Sequence, residues 1–150
     1  MDSKSATAPE IADPEELARY CVLKALRGGK VRPQIFIRAK NFPAEVSVDR
    51  ALLCSPRARV ELETAAQNVP RAHVILIAGA ARTRLPHARV LPAVPPPEHA
   101  EIHTTPEGTP RFETKDAMVA ADLWDAYEAD CATLASISTI PVEYVAQAQK

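Results

Sequence analysis

Hydrophobic and polar positions along the chain follow two periods. The run Asp13-Pro14-Glu15-Glu16, followed by Leu17, Tyr20, Cys21, Ala25 and Leu26, predicts a capped helix over 13–27 that Gly28-Gly29 closes. Val31, Pro33, Ile35 and Ile37 alternate with Arg32, Gln34, Phe36 and Arg38, which predicts a strand over 31–38. A second short strand follows over 45–50, with Val46 and Val48 inward and Ser47 and Asp49 outward. Ser55-Pro56 opens a helix to about Gln67, since a cap followed by proline suits a first turn. The continuous β-branched run over 73–78 reads as a buried strand. Val90-Leu91 and 100–103 read as further strands, with Pro95-Pro96-Pro97 between them as a stiff polyproline II connector. Thr114 caps the longest helix, 115–135, on which Val119, Leu123, Trp124, Tyr127, Cys131 and Leu134 fall at helical spacing. A short helical turn follows Pro141.

Interleaved strands and helices make this an α+β domain, with mixed α/β as the alternative: a sheet of four to five strands packed by two long helices and one shorter one. Residues 1–12 are small, polar and aperiodic and read as a flexible tail; 13–150 read as one globular domain. The 150 residues, 47% apolar and 25% charged, suit a chain that folds without disulfides or metal. No apolar run approaches the ~18 residues of a membrane span, and Met1 to Ser5 lead into acidic sequence, so neither a span nor a signal peptide is expected. Cys21, Cys54 and Cys131 are widely spaced, form no CxxC pair and read as reduced, buried thiols of a cytoplasmic protein.

Charge changes the picture. The net of −1 hides a segment of −4 over 1–16, one of +10 over 17–90 and one of −7 over 91–150. A basic middle points to nucleic acid or another anion, unless acidic sequence elsewhere cancels it. With one Trp, three Tyr and three Phe there is little aromatic surface for stacking single-stranded bases.

Two polar clusters could carry chemistry. In His99-Ala100-Glu101-Ile102-His103, the period of two puts His99, Glu101 and His103 on one strand face. Three readings fit: a solvated polar face, acid–base or phosphate-contacting histidines, or a metal site. The metal would need ligands from elsewhere, His73 or His87, because His99 and His103 are ~13 Å apart along a strand. His99, after the proline run, is expected to be better fixed than His103. The second cluster is Arg38 with Ser47-Val48-Asp49-Arg50. If 31–38 and 45–50 pair as a hairpin, Arg38 and Arg50 offer planar forks for phosphate oxygens, and Ser47 and Asp49 a hydroxyl and a carboxylate. The alternative is a salt-bridge network in which Asp49 or Glu45 takes an arginine. Signatures for phosphate loops, dinucleotide binding, zinc proteases and serine hydrolases are absent.

Phe36, Ser47-Val48-Asp49-Arg50 and Pro97-Glu98-His99-Ala100-Glu101-Ile102 together resemble the pattern of an uncharacterised family of small bacterial proteins, over roughly 17–103. The resemblance implies no known reaction, but it ties the two clusters together. The function expected is handling of a phosphate-bearing ligand, RNA or a nucleotide, without metal or cofactor. Arg38 and Arg50 would hold phosphate, His99 or His103 would act as acid or base, and Ser47 or Asp49 would orient. The other expectation is a non-catalytic subunit of a larger bacterial assembly, docking through the acidic C-terminal helix.

Overall fold

A computed structural model describes residues 9–148, with side chains to 145. Among these residues an antiparallel five-stranded sheet combines with helices into an α+β fold. Its strands are β1 (Glu16–Val22), β2 (Glu45–Arg50), β3 (Arg71–Ile77), β4 (Arg89–Pro92) and β5 (His99–His103), in the spatial order β3-β1-β2-β5-β4. The helices are α1 (Pro56–Gln67), α2 (Ala78–Arg84), α3 (Lys115–Ala120), α4 (Trp124–Ser136) and α5 (Val142–Ala148).

The first predicted helix is instead a strand. Leu17 and Cys21 are four apart, which places them on one side of a helix and equally on one side of a strand, so spacing alone did not separate the two. Here β1 pairs with β3 along its full length, from Glu16 opposite Ile77 to Val22 opposite Arg71. The presumed cap is a turn: the Glu15 N–H donates to the Ala12 carbonyl at 3.0 Å. A short 3-10 turn, Leu23–Leu26, precedes the glycines. The strand predicted over 31–38 is also absent. Pro33 opens a 3-10 turn, Pro33–Ile35, and Phe36 follows at φ −101° and ψ −23°, helical rather than extended backbone. The hairpin between 31–38 and 45–50 therefore does not form.

The long helix predicted over 115–135 is two. Thr114 does cap α3, its Oγ1 accepting the Ala117 N–H at 3.2 Å. At the other end Leu123 N–H reaches back to the Met118 carbonyl and Asp122 N–H to that of Val119, with Asp122 left-handed at φ 62°. That is the six-to-one and five-to-two closure of a Schellman motif, filled here by Asp rather than by glycine. The connector at 95–97 is not polyproline II either: Val94–Pro95 and Pro95–Pro96 are cis, and the segment is the tight link of the β4–β5 hairpin.

One sheet face makes the main core. Leu17, Val46, Val48, Val74, Leu76, Val90, Ala100 and Ile102 are buried with Trp124, Tyr127, Cys131 and Leu134 of α4. Tyr127 pins the loop after the 3-10 turn, donating its hydroxyl hydrogen to the Phe36 carbonyl at 3.1 Å and accepting the Arg38 N–H at 2.7 Å. Ile11 lies in this core, and the Pro9 carbonyl accepts from Arg50, so residues 9–12 are anchored rather than free as the expected tail; 1–8 lie outside the described residues. The opposite face is covered over β1 and β3 by α1 and α5. Over β5, β4 and the Glu45 end of β2 it carries the loop 104–112 and a cavity, while Asp49 at the other end of β2 lies against Tyr20 and Arg59 of α1. Of the cysteines, Cys21 and Cys131 are buried, but Cys54 is only half-buried, contrary to expectation. Among the described residues no helix is long and apolar enough to cross a membrane.

Candidate functional site

The β2–β5 half of the second face carries a polar ladder. In the β2–β5 register Glu45 stands opposite His103, Ser47 opposite Glu101 and Asp49 opposite His99, and the period of two sends all six side chains to the same side. Ala100 and Ile102, of opposite phase, are fully buried and anchor the strand beneath. Strand pairing, which joins positions about fifty residues apart, thus brings Ser47 and Asp49 of the second expected cluster onto the face of His99, Glu101 and His103.

Each rung has its own chemistry. Glu101 sits between two imidazoles: Oε1 is 3.0 Å from Nε2 of His103, and Oε2 is 3.9 Å from Nε2 of His99. The His103 hydrogen bond outweighs burial and holds the Glu101 carboxyl below its usual range. His103 therefore makes the closer contact, although His99 follows the prolines. At the far rung Asp49 is buried. It accepts from the Tyr20 hydroxyl at 3.0 Å and lies 3.6 Å from both the Cys54 Sγ and Arg59 Nη1. Burial and then the Asp49 charge push the Cys54 thiol up to about 11. Asp49 is committed to fixing β1 and α1. At the near rung buried Glu45 takes a two-pronged contact from Arg111, Nε at 2.8 Å and Nη2 at 3.0 Å, while that guanidinium stacks 3.6 Å above the Phe42 ring.

This near rung opens into a cavity of about 370 Å³ between the sheet and loop 104–112. Glu45, Glu101, His103, Arg89, Arg111 and Phe42 are among the residues lining it. Arg89 stands opposite His103 on β4. Its Nε is buried and has no hydrogen-bond partner among the described residues, whereas Nη2 makes a long 3.5 Å contact with the Thr105 carbonyl. A buried donor left without an acceptor costs about 1–3 kcal/mol, and Arg71 Nε, outside this cavity, is in the same position.

The two arginines expected to hold phosphate part ways. Arg50 belongs to the opposite, core-facing phase of β2 and is 3% exposed. Its guanidinium is engaged by both oxygens of Glu15 and by the Pro9 and Glu10 carbonyls. Arg38 lies in a loop rather than at a strand end. Its Nη1 donates to the Glu45 carbonyl at 2.8 Å and sits 3.5 Å from the Ser47 Oγ. Nearby, Arg19 donates to the Ser47 and Ile35 carbonyls at 2.9 and 2.7 Å. Pairing of β1 with β2 stops after Ala18 and Asp49, so these guanidiniums serve the β2 carbonyls that a neighbouring strand would otherwise satisfy. Burial, and then the charge of Arg38, lowers the Arg19 pKa.

Part of the basic middle section is paired internally. Arg50 meets Glu15, Arg82 meets Asp13, Arg59 meets Glu63 and Asp49, and Arg71 meets Glu63. His73 and His87 do not approach the ladder as added ligands. His73 is buried against the Tyr144 hydroxyl at 2.9 Å, and His87 pairs with Asp130 at 2.9 Å. Sequence reasoning missed Arg89 as a site residue and Arg111 entirely. Arg111 meets Glu45 across 66 residues and carries no local signal, but Glu45 shares the phase of Ser47 and Asp49 and could have been included.

No protein-family model, curated protein or solved structure matches this chain.

Proposed function

We propose that the cavity over β2, β5 and β4 takes a phosphate-bearing ligand of nucleotide size, a free nucleotide or the end of an RNA, and that the His103 imidazole beside Glu101 exchanges protons with it. One observation carries this reading: Arg89, Arg111 and the His103–Glu101 pair line a single cavity. Arg111 spends Nε and Nη2 on Glu45 and keeps Nη1 for a ligand oxygen, and the Arg89 guanidinium makes only the long Nη2 contact with the Thr105 carbonyl. The two guanidiniums balance Glu45 and Glu101, so a phosphate does not enter a net negative site. Arg38, beside Ser47, extends the donor set along the ladder. Arg50 is left out.

In cleavage or transfer, neutral His103 removes a proton from a ligand hydroxyl as that oxygen attacks phosphorus. The opposite P–O ester bond breaks, and the departing oxygen takes a proton from water. Glu101 orients the His103 ring. The test is calorimetric titration with uridine 5′-monophosphate and turnover of a uridylyl-adenosine dinucleotide. Arg89→Met and Arg111→Ala weaken nucleotide binding, whereas His103→Ala retains binding and lowers turnover by about 10²–10⁴-fold. Nucleotide binding that is absent at millimolar concentration, or indifferent to both arginine variants, refutes the reading.

A second reading, that of a non-catalytic interaction subunit, is favoured by Leu52, Leu62 and Val142, which are 77%, 70% and 85% exposed. Asp125 and Glu128 on the outer side of α4 would supply the acidic docking face.

A further inference from the structure

The near rung holds a second capability. Glu45, Glu101 and His103 each offer one ligand atom, and these atoms all lie within 4.8 Å of one another. We propose that these three side chains form a site for a divalent transition-metal ion of the zinc class, so that metal uptake and a free imidazole at His103 exclude each other. The regulatory half of this rests on the acid–base reading above; the metal site itself does not.

Four features support it. Two carboxylates and one neutral imidazole match the charge and softness of zinc better than that of magnesium, which favours all-oxygen sites. His103 Nε2 and Glu101 Oε1 stand 3.0 Å apart in a hydrogen bond, and opening that contact by about 0.3–0.6 Å gives the separation of two ligands on a tetrahedral ion with bonds of ~2.0–2.2 Å. The ligands sit on a rigid sheet: Glu45 and His103 are direct cross-strand partners and Glu101 is one same-face position along. The cluster also opens on a cavity, which leaves room for a fourth ligand from solvent or substrate.

Arg111 does not block the site. A carboxylate has about four lone-pair positions, of which the guanidinium fork takes two. The Arg111 side chain is 61% exposed and can withdraw. Once bound, the ion replaces the Nε2 proton that His103 donates to Glu101, the ring proton then sits on Nδ1, and the imidazole cannot accept another.

The test uses the full chain in phosphate-free buffer with Zn²⁺ alone, followed calorimetrically, and with Co²⁺ as a visible-absorption probe. Expected are one ion per chain, a cobalt ligand-field band, and affinity lowered ~10-fold or more in both Glu101→Gln and His103→Gln. Arg111→Ala, which frees Glu45 from its guanidinium, tightens binding. Zinc shifts the imidazole nitrogen resonances of His103 and leaves those of His73 and His87 in place. Thermal melts establish that each variant is folded; should His103→Gln fail, Glu101→Gln carries the comparison. No zinc binding by the wild type, equal binding in a folded Glu101→Gln variant, or a shift at His87 instead of His103 overturns the proposal. Nucleotide binding through Arg89 and Arg111 is measured without metal, so failure of either proposal is read separately.

Discussion

Replacing Glu15 with Gln tests whether Arg50 is architecture or binding equipment. The Arg50 guanidinium is 3% exposed, with Nη2 at 3.0 Å from Glu15 Oε2 and Nε on the other oxygen. Removing one partner of a buried ion pair costs about 3–5 kcal/mol, because the remaining charge is left buried. Arg50 keeps the Pro9 and Glu10 carbonyls and Gln keeps one acceptor, so the lower end applies, ~3 kcal/mol. For a chain of this length that lowers the melting temperature by about 6–12 °C. Urea and calorimetric melts at neutral pH measure it. The double variant Glu15→Leu/Arg50→Met recovers only part of the loss: the stranded charge is gone, but two carbonyls lose their donor. The acid limb gives an independent check. Arg50 holds the Glu15 carboxyl below its usual range, so the pair's stabilisation is complete above the unfolded pKa of ~4.3 and drains away as pH falls through the lower folded value. Glu15→Gln flattens that limb. A loss below ~1 kcal/mol, with nucleotide affinity falling instead, refutes the structural assignment of Arg50.

Three further outcomes follow from the same reasoning. Burial, against the opposing charge of Glu143, lowers the pKa of His73, so the unfolded chain takes up a proton that the folded chain resists; stability is full above pH ~6.5 and declines as pH falls below it. Equilibrium melts from pH 7.5 to 5 show this decline, and a His73→Phe variant with the same slope contradicts it. Asp122→Gly relieves the left-handed residue between α3 and α4 and stabilises by up to ~1 kcal/mol, whereas Asp122→Val destabilises by ~1–2 kcal/mol; urea midpoints that order the two the other way refute the motif. Half-exposed Cys54 reacts with a thiol reagent before Cys21 and Cys131, but slowly, since its thiol is pushed up to about 11; mass mapping that finds Cys131 labelled first contradicts the packing of α4.

The legible parts of the fold are those where two independent signals agreed. Ser55 followed by Pro56 announced α1, and Ser55 Oγ does accept the Ala58 N–H. In β5 the alternation of histidine and glutamate with Ala100 and Ile102 fixed which side chains share a face. The illegible parts had one signal that served two structures. Asp13-Pro14-Glu15-Glu16 has the composition of a helix start, yet Asp13 pairs with Arg82 and Glu15 with Arg50, so the acids are spent on tertiary ion pairs instead of on a helix terminus. Between α3 and α4 the apolar spacing continues across the break, and the left-handed residue is an aspartate that no glycine announces. Tertiary closure decided these cases, and a window along the chain does not contain it.

The site shows the same division. Phase along one strand was readable, so His99, Glu101 and His103 were grouped correctly, as were Ser47 and Asp49. What each residue does depends on its neighbour across the sheet and on the covering layer, and neither is local. Asp49 has the same phase as Ser47 and Glu45, but α1 and Tyr20 close over it and turn a candidate base into a structural acceptor. Glu45, two rungs away, is covered only by the loop that brings Arg111, and so remains at the wall of a cavity. Arg50 is one residue beyond Asp49, and that single step moves its guanidinium from the polar ladder to the opposite face. The proposed function therefore places its ligand at the Glu45–His103 end of the ladder, where two guanidiniums, two carboxylates and an imidazole line one cavity.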